Sequence, residues 1–252
     1  MKGSKWIFFV CMLASLKGVT QNDFISEPTL LLRHRHLFGL NLNTAELGGI
    51  NFKYQWQKTA LIKNGIEIEL ARLRHPKEER VFGQSENPKK YTPGRINMAF
   101  FLRTGYGRNL FITDRQYKNA ISLHYNYSIG ATTVFLKPIY IEVIKSLTDP
   151  TGSEFLATEK YDPVNRHTTP SLIYGNAPFS TGLDETSVRV GGHFKNSLSL
   201  EWGQYPDTFT SIEAGFVVDV FGQKLPLMAE QVAKNNNIIF TFFLGFYIGS
   251  NK

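Results

Sequence analysis

Residues 49–57 read Gly-Ile-Asn-Phe-Lys-Tyr-Gln-Trp-Gln, a strict alternation of apolar and polar side chains. The apolar set is Ile50, Phe52, Tyr54 and Trp56. Because successive side chains of a β-strand point to opposite faces, this period of two predicts a strand with one apolar face and one polar face. The fold class depends on how often the pattern recurs.

A second strand is predicted directly after the first. Asn64-Gly65 is the strongest short hairpin signal, because both residues tolerate the positive φ of a type I′ turn. Ile66, Ile68 and Leu70 follow in alternation with two glutamates. The sequence therefore predicts a β-hairpin with its turn at Asn64-Gly65.

The same alternation recurs along the chain and predicts eight antiparallel strands. They cover residues 38–43, 49–57, 66–70, 95–107, 121–130, 194–202, 212–220 and 238–248. Two architectures fit this pattern: a membrane barrel with its apolar face in lipid, and a soluble barrel of the lipocalin type with that face turned inward.

Connection lengths favour the membrane barrel. The second, fourth and sixth connections are short, at residues 63–65, 110–118 and 203–208, whereas the third, fifth and seventh are long, at 75–94, 136–186 and 222–236. Long loops outside and short turns inside are typical of outer-membrane barrels. The prediction is an all-β fold: an eight-stranded antiparallel transmembrane β-barrel with long extracellular loops.

Aromatic residues close several of the predicted strands. Trp56, Tyr106 and Trp202 end descending strands, and Phe246 lies close to the end of the last one. Because aromatic rings prefer the membrane interface, we expect these four to form a girdle at the periplasmic rim.

The polar face of the strands carries charges of both signs. An eight-stranded barrel leaves an interior that side chains fill. We interpret these residues as a structural ion-pair network rather than as a conduction path or a catalytic centre. They are Lys53, Glu67, Glu69, Arg103, Lys195, Glu201, Glu213 and Asp219.

The first twenty residues resemble an export signal. Lys2 and Lys5 precede an apolar stretch at residues 6–16 that is too short to cross a bilayer. We predict a signal peptide over residues 1–20 and a barrel domain over 21–252. Cys11, the only cysteine, lies in that signal, so the mature chain would have no disulfide and no cysteine-bound metal.

The histidines and acids give no catalytic or metal motif. His34 and His36 flank Arg35 without a matching acid, so we expect no metal site there. Other candidates for chemistry show no nucleophile–base spacing, and we predict no catalytic residues and no cofactor. These candidates are His124, His167, His193, Asp149, Asp162 and Asp184.

The net charge of +7 is scattered along the chain, and export argues against a nucleic-acid partner. Arg80, Lys89, Lys90 and Arg95 flank the third connection. At the outer surface these cations either meet anionic lipopolysaccharide or are simply solvated, and the sequence leaves both readings open.

The fifth connection, at about residues 136–187, is far longer than a hairpin needs. It is rich in apolar and aromatic residues, which is unlike a disordered segment. Exposed surfaces of this composition mark partner sites. We therefore predict that Tyr140, Tyr161, Tyr174 and Phe179 contact a protein partner.

Residues 95–250 resemble an outer-membrane barrel family of Bacteroidota whose members are mostly uncharacterised. The resemblance is carried by residues 136–144, 159–163, 173–179, 226–229 and the terminal strand 238–249. It implies a barrel with a large outer loop and brings no catalytic residues. The chain departs from many such barrels by ending on Gly249-Ser250-Asn251-Lys252 rather than on an aromatic residue.

The predicted function is a non-enzymatic subunit in the outer membrane of a Gram-negative bacterium. It would be an accessory or structural part of an envelope biogenesis or secretion complex, docking a protein through its long loop, with lipid and lipopolysaccharide around it. The alternatives are a narrow pore for small solutes and a rim-sited lipid or peptide hydrolase.

Overall fold

The structure, a computed structural model, describes most of the chain after residue 33. The described ranges are 34–44, 46–59, 61–83, 88–113, 121–146, 154–164, 166–167, 169–203 and 208–251. The predicted signal peptide at residues 1–20 lies outside them. Within these ranges, no helix has the length and apolarity to cross a membrane.

The described ranges form thirteen strands and one short 3₁₀ helix, Pro170–Leu172. The strands are β1 (His34–Asn43), β2 (Glu46–Thr59), β3 (Ile62–Leu73), β4 (Val81–Phe82), β5 (Lys90–Tyr91), β6 (Asn97–Thr113), β7 (Ser122–Pro138), β8 (Tyr140–Ser146), β9 (Glu154–Lys160), β10 (Ile173–Asn176), β11 (Ser187–Trp202), β12 (Thr208–Phe221) and β13 (Ile238–Asn251).

Eight of these strands close into one antiparallel barrel in the order β1-β13-β12-β11-β7-β6-β3-β2. The stagger of the barrel is found by tracing paired residues from strand to strand around the wall. The trace starts at His34 of β1, passes through Trp56 and Phe242, and returns to the first strand at Thr44, ten residues further along the chain. For eight strands this stagger corresponds to a tilt of about 40°. Closure leaves no strand edge in the wall, as a bilayer requires.

The burial pattern of the wall is the reverse of that of a soluble protein. On β13, Phe240, Phe242 and Leu244 are exposed, whereas Thr241 and Phe243 between them are buried. The same alternation runs along β1 and β11. Apolar side chains therefore face hydrocarbon and polar ones face the lumen, so the transmembrane prediction is confirmed and the lipocalin-type alternative is wrong.

The predicted connections lie at the expected rims. The first, third, fifth and seventh connections, at residues 44–45, 74–96, 139–186 and 222–237, lie at one end, here called the upper rim. The three others lie at the lower rim, at residues 60–61, 114–121 and 203–207. The long extracellular loops of the prediction are the three long connections of the upper rim.

The hairpin turn predicted at Asn64-Gly65 is wrong. Both residues lie inside β3, where Asn64 pairs with Trp56 and Gly65 pairs with Gln55, and the chain reverses at residues 60–61 instead. Glycine is needed at position 65 for a different reason. A Cβ there would lie 2.7 Å from the carbonyl oxygen of Tyr54, so only glycine allows this close strand approach.

The lumen is mainly polar below the upper rim, as expected, but not at the rim itself. Near the upper rim the interior is filled by an apolar cap, formed by strand residues together with residues of the seventh connection. The connection turns down into the mouth and is held there by Asn235, whose Oδ1 accepts from the backbone N–H of Leu227 at 3.0 Å. The apolar cap is Leu73, Ala99, Phe101, Val134, Leu136, Phe221, Leu225, Leu227, Met228 and Ala233.

The fifth connection folds into a separate three-stranded sheet in the order β10-β8-β9, here called the outer sheet. It has its own small core, formed by Tyr91, Ile139, Ile141, Val143, Tyr161 and Ile173. The β4–β5 hairpin joins it, because the backbone N–H of Lys89 donates to the carbonyl of Tyr174 at 2.9 Å.

Candidate functional site

The middle of the lumen contains a dense set of buried ion pairs. Lys195 lies between two acids, with its Nζ 2.5 Å from Glu67 and 3.2 Å from Glu69. Lys53 pairs with Glu213 at 2.5 Å. Each cation thus has an anion in contact, which is what makes burial of these groups tolerable.

Arg103 links this set to the next level of the lumen. Its Nε and Nη2 donate to the two carboxylate oxygens of Asp219 at 3.1 and 2.7 Å, and its Nη1 lies 3.4 Å from Glu69. The fork-to-fork geometry with Asp219 is the strongest type of ion pair that an arginine makes. The structure therefore places seven of the eight predicted lumen charges in one connected cluster.

Glu201, the eighth, lies lower, with partners that the sequence interpretation did not include. It accepts a hydrogen bond from Arg35, and it lies 3.3 Å from Nε2 of His124. The Arg35 guanidinium lies over the ring of Phe209 at 3.8 Å. Extending the first strand back by a few residues would have revealed Arg35, because it shares the inward face with Gly39 and Asn41.

Ser122, His124 and Glu201 do not form a catalytic triad. In a triad, one imidazole nitrogen contacts the serine and the other contacts the acid. Here the same nitrogen of His124, Nε2, contacts both Ser122 Oγ, at 3.0 Å, and Glu201. The other nitrogen, Nδ1, contacts Asn109 at 2.9 Å. His124 is fully buried, so this cluster has the geometry of a structural hydrogen-bond network.

The other residues considered for chemistry are dispersed. His193 contacts Thr132 in the lumen, at 3.0 Å, and His167 accepts from the backbone N–H of Asp162 in a loop, at 3.0 Å. Asp149 lies outside the described residues. Among the residues that the structure describes, no three histidines, cysteines or acids are grouped as a metal site would require.

A small cavity lies beside the charged cluster. Its volume is about 30 Å³, and it adjoins Lys53, Glu67 and Lys195. A polar cavity of this size can hold ordered water. Above it lies the apolar cap, and below it lies a second apolar group of Leu37, Phe209 and Tyr247.

We therefore expect the purified barrel to conduct no ions. In a planar bilayer, the wild-type chain should give no stepwise current increments, because a path through the lumen would have to open the apolar cap and the charged cluster together. A large-pore porin reconstituted in the same lipid is the positive control. Regular unitary steps from the wild-type chain would contradict this and support the narrow-pore alternative.

The four aromatic residues predicted as partner contacts lie in different environments. Tyr161 is buried, its hydroxyl accepts from the backbone N–H of Gly94 at 3.1 Å, and burial raises the pKa of its phenol. Phe179 packs edge-on against Phe100 of the barrel wall, with ring centroids 6.2 Å apart. Tyr161 therefore contacts the third connection, and Phe179 contacts the barrel wall.

Tyr140 and Tyr174 are partly exposed. The Tyr140 hydroxyl donates to Glu185 at 2.5 Å, and this bond raises the pKa of the tyrosine. Tyr174 lies beneath the ammonium of Lys89, 5.5 Å from its ring centroid. Of the four predicted residues, these two and the exposed side of Phe179 are available to a partner.

The most accessible feature of the outer sheet is β9. Its inner edge pairs with β8 from Tyr140↔Lys160 to Ser146↔Glu154, and within the described ranges no strand pairs with its other edge. Phe155 and Leu156 are 45% and 52% exposed on this strand. The sequence did not predict their role, because β9 lacks the long alternation that marks the barrel strands.

No family model and no curated protein matches the chain. Among solved structures, Neisserial surface protein A is similar with a TM-score of 0.39 and 6% identity, covering 88% of this chain and 96% of that chain. The attachment invasion locus protein Ail of Yersinia pestis gives a TM-score of 0.39 and 9% identity, covering 88% and 99%. The N-terminal β-barrel domain of Pseudomonas aeruginosa OprF gives 0.36 and 7%, covering 87% and 96%.

These identities and TM-scores are too low to transfer a function. The resemblance to a Bacteroidota family stays a prediction, since no family model tests it.

Proposed function

We propose that this chain is a non-enzymatic outer-membrane barrel of a Gram-negative bacterium, exported by residues 1–20, that docks a protein partner at the free edge of β9. It would serve as an accessory or structural subunit of an envelope biogenesis or secretion complex. The observation that supports this is an edge of β9 with which no strand of the described ranges pairs, and on which two apolar side chains, Phe155 and Leu156, are exposed.

The barrel is suited to act as a rigid anchor. The charged cluster and the apolar cap occupy its lumen. The outer sheet is tied to the barrel by Phe179, which packs on Phe100, and by the backbone N–H of Ile139, which donates to the carbonyl of Ile96 just before β6 at 2.9 Å. A partner bound to this sheet would therefore be held at a fixed position relative to the membrane.

The edge of β9 offers a definite binding mode. An extended segment of a partner can add to an exposed strand edge through backbone hydrogen bonds, while side-chain contacts give selectivity. Natural proteins cover or disrupt long apolar edges because such edges aggregate. An edge strand seven residues long, with Phe155 and Leu156 exposed, fits a surface that a partner covers.

Co-purification tests the proposal. The tagged wild-type chain is extracted from its native membrane in a mild detergent, and we expect a partner in fixed stoichiometry. The double variant Phe155→Lys/Leu156→Lys should lose it, because two ammonium groups would have to be desolvated in the interface. Phe82→Lys, at an exposed phenylalanine on β4, is the matched control and should retain the partner.

Two outcomes would contradict docking at β9. One is a chain that is alone in every preparation. The other is equal retention of the partner by the β9 double variant and by Phe82→Lys, which would move the interface elsewhere on the surface.

A further inference from the structure

A basic cleft lies where the fifth connection covers the outer wall of the barrel near the upper rim. Its volume is about 330 Å³, and Met98, Pro178 and Phe179 supply apolar walls. Within the described part of the chain no acidic side chain lines it. The basic cleft is lined by the cations Arg72, Arg80, Lys90, Arg95 and Lys137.

The positive charge of the basic cleft is largely uncompensated. Arg95 pairs with Glu78, which lies beside the cleft, at 3.1 Å. Among the described residues, the other four cations have no carboxylate within ion-pair distance. One acid therefore faces five cations, which is unfavourable unless an anion binds among them.

Lys137 is the most unusual of these cations. It is only 4% exposed, and its Nζ reaches the carbonyl of Pro138 at 3.3 Å and the ring of Phe179 at 5.2 Å. Burial of an ammonium without a counter-ion is costly, and Arg95 nearby repels it further. The buried ammonium of Lys137 is therefore available to bind an anion, because no protein carboxylate in the described ranges pairs with it.

The height of the basic cleft indicates which anion. Arg72 lies two residues above Leu70 on the lipid-facing side of β3, and Leu70 belongs to the exposed apolar belt. At about 3.3 Å per residue, the cleft begins within about 7 Å of this apolar belt. Lipid headgroups lie at this level.

We infer that the basic cleft binds the phosphate of a lipid headgroup in the outer leaflet, with Lys137 and Arg72 contacting the phosphate oxygens. Arg80 and Lys90 add charge from above, and Thr92 and Asn176 on the lining can donate hydrogen bonds. The acyl chains would lie on the apolar belt below. This site is separate from the edge of β9 and does not depend on docking there.

Native mass spectrometry of the full-length chain in an uncharged detergent tests the site. The probes are lipid A, dephosphorylated lipid A and inorganic phosphate. We expect lipid A to bind and its dephosphorylated form to bind much more weakly. Lys137→Gln and Arg80→Gln should each weaken lipid A binding about fivefold, as expected for loss of one cation near a headgroup. Lys224→Gln removes the same charge from an exposed site outside the cleft and should leave binding unchanged.

Arg80 is exposed, so Arg80→Gln keeps the test valid even if Lys137→Gln fails to fold. Binding of lipid A equally by wild type, Arg80→Gln and Lys137→Gln would overturn the site. Inorganic phosphate should bind more weakly than lipid A. If it binds as tightly and depends on Arg80 in the same way, the ligand of the cleft is free phosphate and not a lipid headgroup. Loss of β9 docking would change neither result.

Discussion

Arg103→Met should lower the free energy of unfolding by about 3–5 kcal/mol, the range for breaking a buried ion pair from one side. The substitution removes the fork that holds Asp219 and the contact with Glu69, and it leaves both acids inside the barrel. Urea titration of the protein in lipid vesicles, followed by tryptophan fluorescence, measures the loss. The barrel should unfold at a clearly lower urea concentration.

Two further variants make this result specific. Lys160→Met removes a cation from the exposed pair with Glu185, where solvent screens the interaction, and should leave the midpoint unchanged. Arg103→Met combined with Asp219→Asn should recover part of the loss, because the stranded charge is removed. If Arg103→Met unfolds at the same urea concentration as Lys160→Met, the lumen pairs do not determine stability.

Leu198→Arg should destabilise the membrane-embedded barrel by about 2–4 kcal/mol, the cost of an arginine on the lipid face near the bilayer centre. Leu198 faces outward on β11, four residues before Trp202 at the lower rim. The guanidinium would have to enter hydrocarbon or deform the bilayer to reach water. The same vesicle-based urea titration measures the effect.

Leu183→Arg is the matched control. Leu183 and Leu198 are both 49% exposed, but Leu183 lies in the fifth connection above the barrel. We expect Leu183→Arg to change stability little, because its side chain is already in water. Equal effects of the two substitutions, or a wild-type chain that stays folded in buffer without detergent, would show that the apolar belt does not face lipid.

The faces of the wall could be predicted because each strand carries that information locally. In residues 49–57, every second side chain is apolar, and the structure turns those side chains to lipid. The inward position of Lys53, Glu67 and Lys195 follows from the same period. The lengths of the connections then predicted which rim carries the long extracellular loops.

Local sequence patterns did not predict the features that depend on contacts between distant segments. Asn64-Gly65 has the composition of a turn, yet pairing on both sides keeps it within β3. The apolar cap depends on the seventh connection folding into the barrel mouth, and β9 has too few residues for its pattern to be informative. The basic cleft exists only because the fifth connection covers Lys137 next to Arg72.

The sequence by itself determined the strands and their two faces, because a period of two requires only neighbouring residues. Connection lengths then favoured the barrel that turns its apolar face to lipid. Only the tertiary structure decided which charges meet, since closure with its ten-residue stagger sets those contacts. Arg35 and Glu201 are 166 residues apart, and Lys53 and Glu213 are 160 apart. No local pattern encodes such pairs, because the register of all eight strands must be fixed before the lumen can fill.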